Sequence, residues 1–376
     1  MTTTPHIEIP ASLLPADGRF GCGPSKVRPE AVAALAASGG SYLGTSHRQK
    51  GVRSVVGELR AGLRSLFSLP DGWEVVLGNG GTTVFWDAAC FGLISSRSQH
   101  LVFGEFSSKF AECAARAPQL GEPVVIETAP GTHPVAVASG DVDVYALTHN
   151  ETSTGVAMPL QRPSGSSAAD GLVLVDATSG AGGLRWSPSE VDVYYFAPQK
   201  CFAADGGLWV ALCSPAAVAR IEEIASSGRW IPSSLDLKIA LDNSRLDQTY
   251  NTPALATLFL FNQQVQWLLS IGGLEGAASR CDESSSILYG WADKTSYASP
   301  FVADPSQRSA VVGTIDLEGV DANVVSQVLR ANGVVDTESY RKLGRNQMRI
   351  GMFPAIDPAD VQALTACIDH VVAALR

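Results

Sequence analysis

The sequence is short of charge, of long apolar runs and of any ordered pattern of cysteines. Only 17% of its 376 residues are Asp, Glu, Lys or Arg, and the formal net charge is −10. That balance, with no block of consecutive Lys/Arg, excludes a general nucleic-acid binder. An anionic substrate would need a local cationic cluster working against the global charge. No apolar run is long enough to span a membrane. The seven cysteines are odd in number and scattered, without a CxxC pair. This argues for reduced thiols and against a disulfide framework or a metal site. The start, Met1-Thr2-Thr3-Thr4-Pro5-His6, lacks the charged and apolar regions of a signal peptide. A cytoplasmic location is the expectation.

A hydrophobic content of 45% fits a compact protein. The length exceeds what one core usually serves, so two domains are expected. Positions 1–30 are rich in Pro and Gly and read as extended. From Val52 a helical face runs through Val55, Val56, Leu59, Leu63, Leu66 and Phe67. Seven short apolar runs follow: Trp73–Leu77, His100–Phe103, Pro123–Ile126, Val142–Leu147, Leu172–Val175, Val191–Phe196 and Leu208–Leu212. Continuous rather than alternating apolar strands predict a sheet covered on both faces, hence an α/β fold. Near position 255 the texture changes. Leu258–Leu269 reads as a connecting helix, Val311–Leu317 and Met348–Met352 as strands of a smaller α+β unit, and Val361 to Leu375 as an amphipathic helix. The expected division is a large domain over 31–258 and a small domain over 259–376, with segment 1–30 packed near the latter.

Two strand ends carry chemistry. The run Leu172–Val175 ends in Asp176, and Tyr194-Tyr195-Phe196-Ala197-Pro198-Gln199 ends in Lys200. A buried carboxylate is costly unless paired, and a lysine at the end of an apolar run cannot easily reach solvent. A desolvated amine has a lowered pKa, which suits imine formation. A Schiff-base lysine and an aspartate for a pyridinium nitrogen are the two parts a pyridoxal-phosphate enzyme needs. Gly78-Asn79-Gly80-Gly81-Thr82-Thr83 follows a strand and precedes an apolar helix, Val84–Leu93. It reads either as a phosphate cradle or as an ordinary turn, and its spacing fits neither a dinucleotide fingerprint nor a P-loop. Phe106 is either a stacking ring or core filler. His149-Asn150-Glu151-Thr152-Ser153-Thr154-Gly155 is a polar group after a strand, where open α/β sheets bind ligands. Cations gather at Thr45-Ser46-His47-Arg48 and over Arg341–Arg349, four in nine positions. Such a run is a solvated loop or an anion site, and Arg349, between Met348 and Ile350, is placed for burial with an anion.

Phe20-Gly21-Cys22-Gly23-Pro24, Thr45-Ser46-His47-Arg48, Asn150-Glu151-Thr152, Asp176-Ala177-Thr178-Ser179, Ala197-Pro198-Gln199-Lys200, Asn251-Thr252-Pro253 and Arg349, in this order, resemble the phosphoserine aminotransferase family. The likeness spans nearly the whole chain and is greatest to the actinobacterial branch. It implies a fold-type I pyridoxal-phosphate transferase: a large domain with a mostly parallel seven-stranded sheet, plus a smaller α+β domain. It further implies that Lys200 holds pyridoxal 5'-phosphate as a Schiff base, that Asp176 pairs with the ring nitrogen and that Phe106 stacks on the ring. Thr152 would bond near the ring hydroxyl, and Thr82, Thr83 and Gln199 would hold the phosphate. Asn251 and Thr252 would reach that phosphate from the partner subunit of a homodimer. Arg349 would grip the substrate α-carboxylate, with Cys22, His47, Arg48 and Lys342 among the substrate contacts. Three departures stand out: Thr83 replaces an arginine, Cys22 replaces a serine, and Arg341, Lys342 and Arg345 compete for the place of a His-Arg pair. The implied reaction is ping-pong transamination between glutamate and 3-phosphohydroxypyruvate; a phosphorylated substrate of vitamin B6 synthesis stays open as a second one. The alternatives are an alanine–glyoxylate or serine–pyruvate aminotransferase, a cysteine desulfurase with Cys201 poorly placed for it, and a non-catalytic binding module.

Overall fold

The computed structural model describes residues 5–376. Helices α1 (Pro29–Tyr42) and α2 (Lys50–Leu66) lead into strand β1 (Glu74–Asn79). Then α3 (Thr82–Gly92), β2 (Ser98–Val102), α4 (Glu105–Arg116), β3 (Val124–Glu127) and β4 (Val144–Thr148) alternate. A short hairpin of β5 (Asn150–Glu151) and β6 (Val156–Ala157) precedes β7 (Leu172–Asp176), β8 (Val193–Phe196) and β9 (Leu208–Cys213). The seven apolar runs are the seven strands of one sheet, in the order β1-β9-β8-β7-β4-β2-β3. Strand β9 pairs antiparallel with both neighbours, while β8, β7, β4, β2 and β3 pair parallel. All but β9 therefore point one way, and their carboxyl ends share one edge. The mostly parallel α/β sheet expected from the unbroken apolar runs is the one observed, and β4, β7 and β8 are buried along their whole lengths.

Both faces of the sheet are covered. Val52, Val56, Leu59, Leu63 and Leu66 of α2 lie on one helical face and enter a core with Val173, Val175, Tyr194 and Phe196. Burying each large aliphatic side chain contributes about 1.5–3 kcal/mol. The other face packs Phe85, Trp86 and Ala89 of α3 and Phe110 of α4 against Val144, Leu174 and Tyr195. Helices α5 (Pro215–Ser226) and α6 (Leu237–Arg245) continue that layer.

Helix α7 (Leu255–Ser270) runs beside α2. Beyond it, α8 (Gly273–Ala292), β10 (Ala298–Pro300), β11 (Val312–Leu317), α9 (Ala322–Ala331), β12 (Gln347–Gly351) and α10 (Pro358–Leu375) form an antiparallel three-stranded sheet with helices. Their apolar side chains make a separate core that includes Ile9 and Phe20. The amino-terminal segment is tied there by the Ile9 amide, which donates to Asn332 Oδ1 at 2.9 Å, and by the Ala16 amide, which donates to Asp360 Oδ1 at 2.8 Å.

Helices α1, α5, α6, α8 and α9 and strand β10 were not legible in the sequence pattern. Helix α8 shows why: its sequence, GLEGAASRCDESSSILYGWA, has Gly and Ser on every side, so no apolar stripe marks it. Among the described residues no helix is long and apolar enough to cross a membrane.

Candidate active site

The carboxyl ends of β4, β7 and β8 bring Thr148, Asp176 and Tyr195 into lateral register. Strand β8 stops at Phe196, four residues before Lys200. The sequence reading had put Lys200 at the strand end itself. Pro198 has no amide to continue the ladder, so Ala197–Gln199 turn and swing Lys200 over the sheet edge. The turn is fixed from the amino-terminal segment: the Ser25 amide donates to the Gln199 carbonyl at 2.9 Å and Ser25 Oγ donates to the Lys200 carbonyl at 2.5 Å.

Lys200 Nζ donates to the Cys22 carbonyl at 2.6 Å. Burial is the largest influence on this amine and, with Arg349 nearby, lowers its pKa to about 8. Gly23, with φ of +134°, sits in a backbone conformation that favours glycine, and a Cβ there would also push the end of the Lys200 side chain aside. Cys22 therefore meets Lys200 through its backbone. Its thiol is buried, which pushes its pKa up.

Asp176 is 4% exposed. Its Oδ1 accepts from the Thr178 amide at 2.9 Å and from Thr178 Oγ1 at 2.5 Å. Its Oδ2 accepts from Trp86 Nε1 at 3.0 Å. Burial nevertheless raises its pKa, against these hydrogen bonds. Such a carboxylate is stabilised by a cationic partner placed beside it.

A cavity of about 150 Å³ joins these groups, lined by Thr82, Thr83, Trp86, Phe106, Thr148, Asn150, Thr152, Asp176, Thr178, Gln199 and Lys200. Thr82 and Thr83 form the first turn of α3, whose preceding residue, Gly81, supplies no side-chain cap. By contrast, α5, α6, α9 and α10 are capped by Ser214, Asp236, Asp321 and Asp357. Thr82 and Thr83 line the cavity at this uncapped helix start, a setting that suits an anion. Gln199 Oε1 and Asn150 Oδ1 are buried without a hydrogen-bond partner. The rest of the Asn150–Thr154 motif is firmly held. Ser179 Oγ accepts from Asn150 Nδ2 at 2.8 Å and from Thr152 Oγ1 at 2.7 Å. Glu151, fully buried, accepts from the Phe106 and Ser107 amides at 3.1 and 2.9 Å, which caps α4 and fixes Phe106 in the cavity wall.

Arg349 lies on β12, opposite Thr314 of β11. Its Nη1 donates to the Thr152 carbonyl at 3.1 Å, and its guanidinium carbon is 5.2 Å from the centre of the Tyr340 ring. Its Nε is buried and unpartnered. One edge of the guanidinium is thus held in place while a donor of the fork is left for a carboxylate.

Seven sequence-predicted residues do not line this cavity: Cys22 and Arg349, which touch its Lys200 and Thr152, and His47, Arg48, Asn251, Thr252 and Lys342, which lie farther off. His47 Nδ1 and Thr252 Oγ1 are 3.2 Å apart, and Arg48 Nη1 donates to Gln248 Oε1 at 3.0 Å and Nη2 to the Tyr250 carbonyl at 3.4 Å. His47, Arg48, Asn251 and Thr252 thus belong to one neighbourhood, near the end of β1, where Asn79 Nδ2 donates to the Thr252 carbonyl at 3.1 Å. Lys342 pairs with Glu105 in the wall of a second cavity. Of its competitors, Arg345 is engaged by Asp316 at 2.5 Å. The sequence reading missed Trp86, Thr148, Thr178, Ser179 and Tyr340. Trp86 carried a usable signal, since it stands four residues after Thr82 and so shares its helix face.

The aminotransferase class-V family model matches residues 134–364, which defines the class. Phosphoserine aminotransferase of Rhodococcus jostii (strain RHA1) is 62% identical over 376 residues, covering 100% of both chains. The chain belongs to the phosphoserine aminotransferase family. Among solved structures, the phosphoserine aminotransferase of Cytophaga hutchinsonii superposes with a TM-score of 0.84 at 23% identity, covering 94% of this chain and 99% of that one. The PLP-bound phosphoserine aminotransferase of Trichomonas vaginalis superposes with a TM-score of 0.78 at 19% identity, covering 94% and 99%.

Proposed function

We propose that the protein transfers the amino group of L-glutamate to 3-phosphohydroxypyruvate, giving O-phospho-L-serine and 2-oxoglutarate, with pyridoxal 5'-phosphate as its cofactor. The observation that carries this reading is the cavity in which Lys200 and Asp176 meet, in a chain 62% identical along its whole length to a phosphoserine aminotransferase.

The cavity suits the cofactor at each end. Asp176 offers a buried anion for a pyridinium nitrogen. Thr82, Thr83, Gln199 and the free amides of α3 suit a phosphate. Phe106 and Thr152 line the wall, where Phe106 would stack on the ring and Thr152 would bond near its hydroxyl. Bound there, the cofactor supplies an aldehyde that condenses with amines and a ring that takes up the electron pair released at the substrate Cα.

The chain's own residues do the rest. Lys200 is the covalent anchor, and its depressed pKa leaves much of the amine neutral near pH 8. Once free, Nζ would carry the proton away from the substrate Cα, a transfer typically worth about 10²–10⁴-fold in rate. Arg349 holds the α-carboxylate with the donor left free by Thr152 and Tyr340, which orients Cα toward Lys200. The segment at Cys22, closed over Lys200 by its carbonyl, shields the amine from water and makes Cys22 part of the substrate wall. Lys342 is the local cation for the substrate's second anionic group.

The site is completed in a homodimer. Asn251 and Thr252 reach the cofactor phosphate from the second subunit, and His47 and Arg48, packed against that same loop, travel with it to the substrate. Their clustering outside the Lys200 cavity of their own chain supports this. The large domain runs from residue 31 through α7 rather than ending at 258, because Phe261, Val265 and Leu268 of α7 pack in its core, and the small domain follows; a cytoplasmic enzyme is the reading in keeping with the free cysteines.

A coupled assay with glutamate as donor tests the reaction. Phosphohydroxypyruvate should outperform glyoxylate and pyruvate as acceptor, with parallel initial-rate lines. Equal rates with the unphosphorylated acceptors, or intersecting lines, would overturn the substrate or the ping-pong order respectively.

A further inference from the structure

Glu105 begins α4, one residue before Phe106, and its backbone amide donates to Ser153 Oγ at 3.1 Å. Its carboxylate faces two ammonium groups. Lys109 Nζ is 3.1 Å from Oε1, and Lys342 Nζ makes direct contact with the same oxygen. The two sides of the second pair differ in setting. The Glu105 side chain is 14% exposed, whereas that of Lys342 is 68% exposed. Glu105 is therefore fixed in the wall, and Lys342 is the partner free to move.

The pair borders a cavity of about 220 Å³ that also takes in Ser153, Thr154, Tyr340 and a second carboxylate, Glu127. This cavity adjoins the one at Lys200. Phe106 lines the latter, Tyr340 the former, and the two ring centres are 6.1 Å apart. Tyr340 in turn covers the guanidinium of Arg349. A substrate held by Arg349 would have its far end close to Lys342.

We propose that Glu105 determines specificity at this end of the site: it is the resident counter-ion of Lys342, and the second anionic group of the substrate binds by displacing it. The proposal rests on the reading of Lys342 as a substrate contact. Glu105 is tethered, so it presents its carboxylate to Lys342 at a high effective concentration. Small singly charged anions from solution cannot compete with it. A phosphate dianion can, because it carries more charge and is itself tethered through the α-carboxylate on Arg349. Glu105 thus sets how strong an anion the site retains, and it takes Lys342 back when the product leaves.

The test is a double-mutant cycle on the holoenzyme at low ionic strength, with Glu105→Gln, Lys342→Ala and both together, reading the KM for phosphohydroxypyruvate and inhibition by O-phosphoserine and by inorganic phosphate. Removing the competing carboxylate in Glu105→Gln should lower this KM by about two- to fivefold. Inhibition by phosphoserine and by inorganic phosphate should tighten by a similar factor, with the glyoxylate KM unmoved. In the Lys342→Ala background the substitution should have no effect. A higher KM in Glu105→Gln, beside a higher KM in Lys342→Ala, would overturn the proposal and make the pair a brace. An unchanged KM in Lys342→Ala alone would instead overturn the reading of Lys342 from which the proposal starts, and the proposal with it.

Discussion

Trp86 donates its indole N–H to Asp176 Oδ2 at 3.0 Å, joining the helix that begins at Thr82 to the strand that ends at the acid. The carboxylate is thereby oriented from α3, the same helix whose Thr82 and Thr83 line the cavity. A slight shift of that helix would disturb both ends of a cofactor together.

Asp176→Asn keeps the shape and removes the charge. Losing one partner of a buried ion pair costs about 3–5 kcal/mol, so cofactor affinity should fall on the order of 10²–10³-fold. Trp86→Phe deletes a single hydrogen bond to a charged group, worth about 1.5–3 kcal/mol, and should weaken binding about 10- to 100-fold. Absorbance titration of the apo-protein with pyridoxal phosphate measures both. Unchanged binding in Asp176→Asn would remove Asp176 from the site.

Lys200 gives a pH dependence with a definite sign. Its folded pKa of about 8 lies below the ordinary 10.5. Between these values the unfolded chain binds the extra proton, so stability rises with pH across that window. The penalty for burying a charged amine is full below pH 8 and gone above 10.5. Apo Lys200→Met should therefore unfold at a higher temperature than the apo wild type at pH 7, with the gap closing as the pH approaches 10.5. Parallel melting curves at every pH would show that Lys200 is not desolvated.

Glu151 lines neither cavity, yet its removal should be felt at the one that Phe106 walls. Glu151→Ala leaves the buried amides of Phe106, Ser107 and Ser153 without their acceptor. Each such loss costs about 1–3 kcal/mol. Thermal stability should fall, and Phe106 should lose its fixed position, seen as an altered absorbance of bound cofactor. Glu151→Gln, which keeps an acceptor, should recover part of both.

The proposed delivery of Asn251 and Thr252 across subunits predicts complementation. Lys200→Met and the Asn251→Ala/Thr252→Ala double variant should each be inactive alone. Hybrid dimers refolded from a mixture should regain activity, because one of their two sites then carries no substitution. No recovery in verified hybrids would place those residues in their own chain's site.

The central sheet was legible because most of its strands, β4, β7, β8 and β9 above all, are short unbroken apolar runs, as strands buried on both faces have to be. The acid and the amine could be found for the same reason, as charges that end such runs. Helices α1 and α8 were not legible, since small residues around their whole circumference leave no periodic stripe. Trp86 and Tyr340 read as core or loop aromatics, because nothing local tells a ring that holds an aspartate or an arginine from one that fills space.

The sequence by itself determined the sheet, the placing of Asp176 and Lys200 as candidates at one sheet edge, and the family, since these rest on residue order and on apolar runs that burial imposes. Tertiary structure alone decided which cations stand where. Arg345 is taken by Asp316, Lys342 faces Glu105 from a segment more than two hundred positions away, and His47 lies against Thr252 rather than beside Lys200. Spacing along a chain cannot carry such information, because ion pairs and hydrogen bonds between distant segments are set by how the small sheet, the amino-terminal segment and the large sheet pack together.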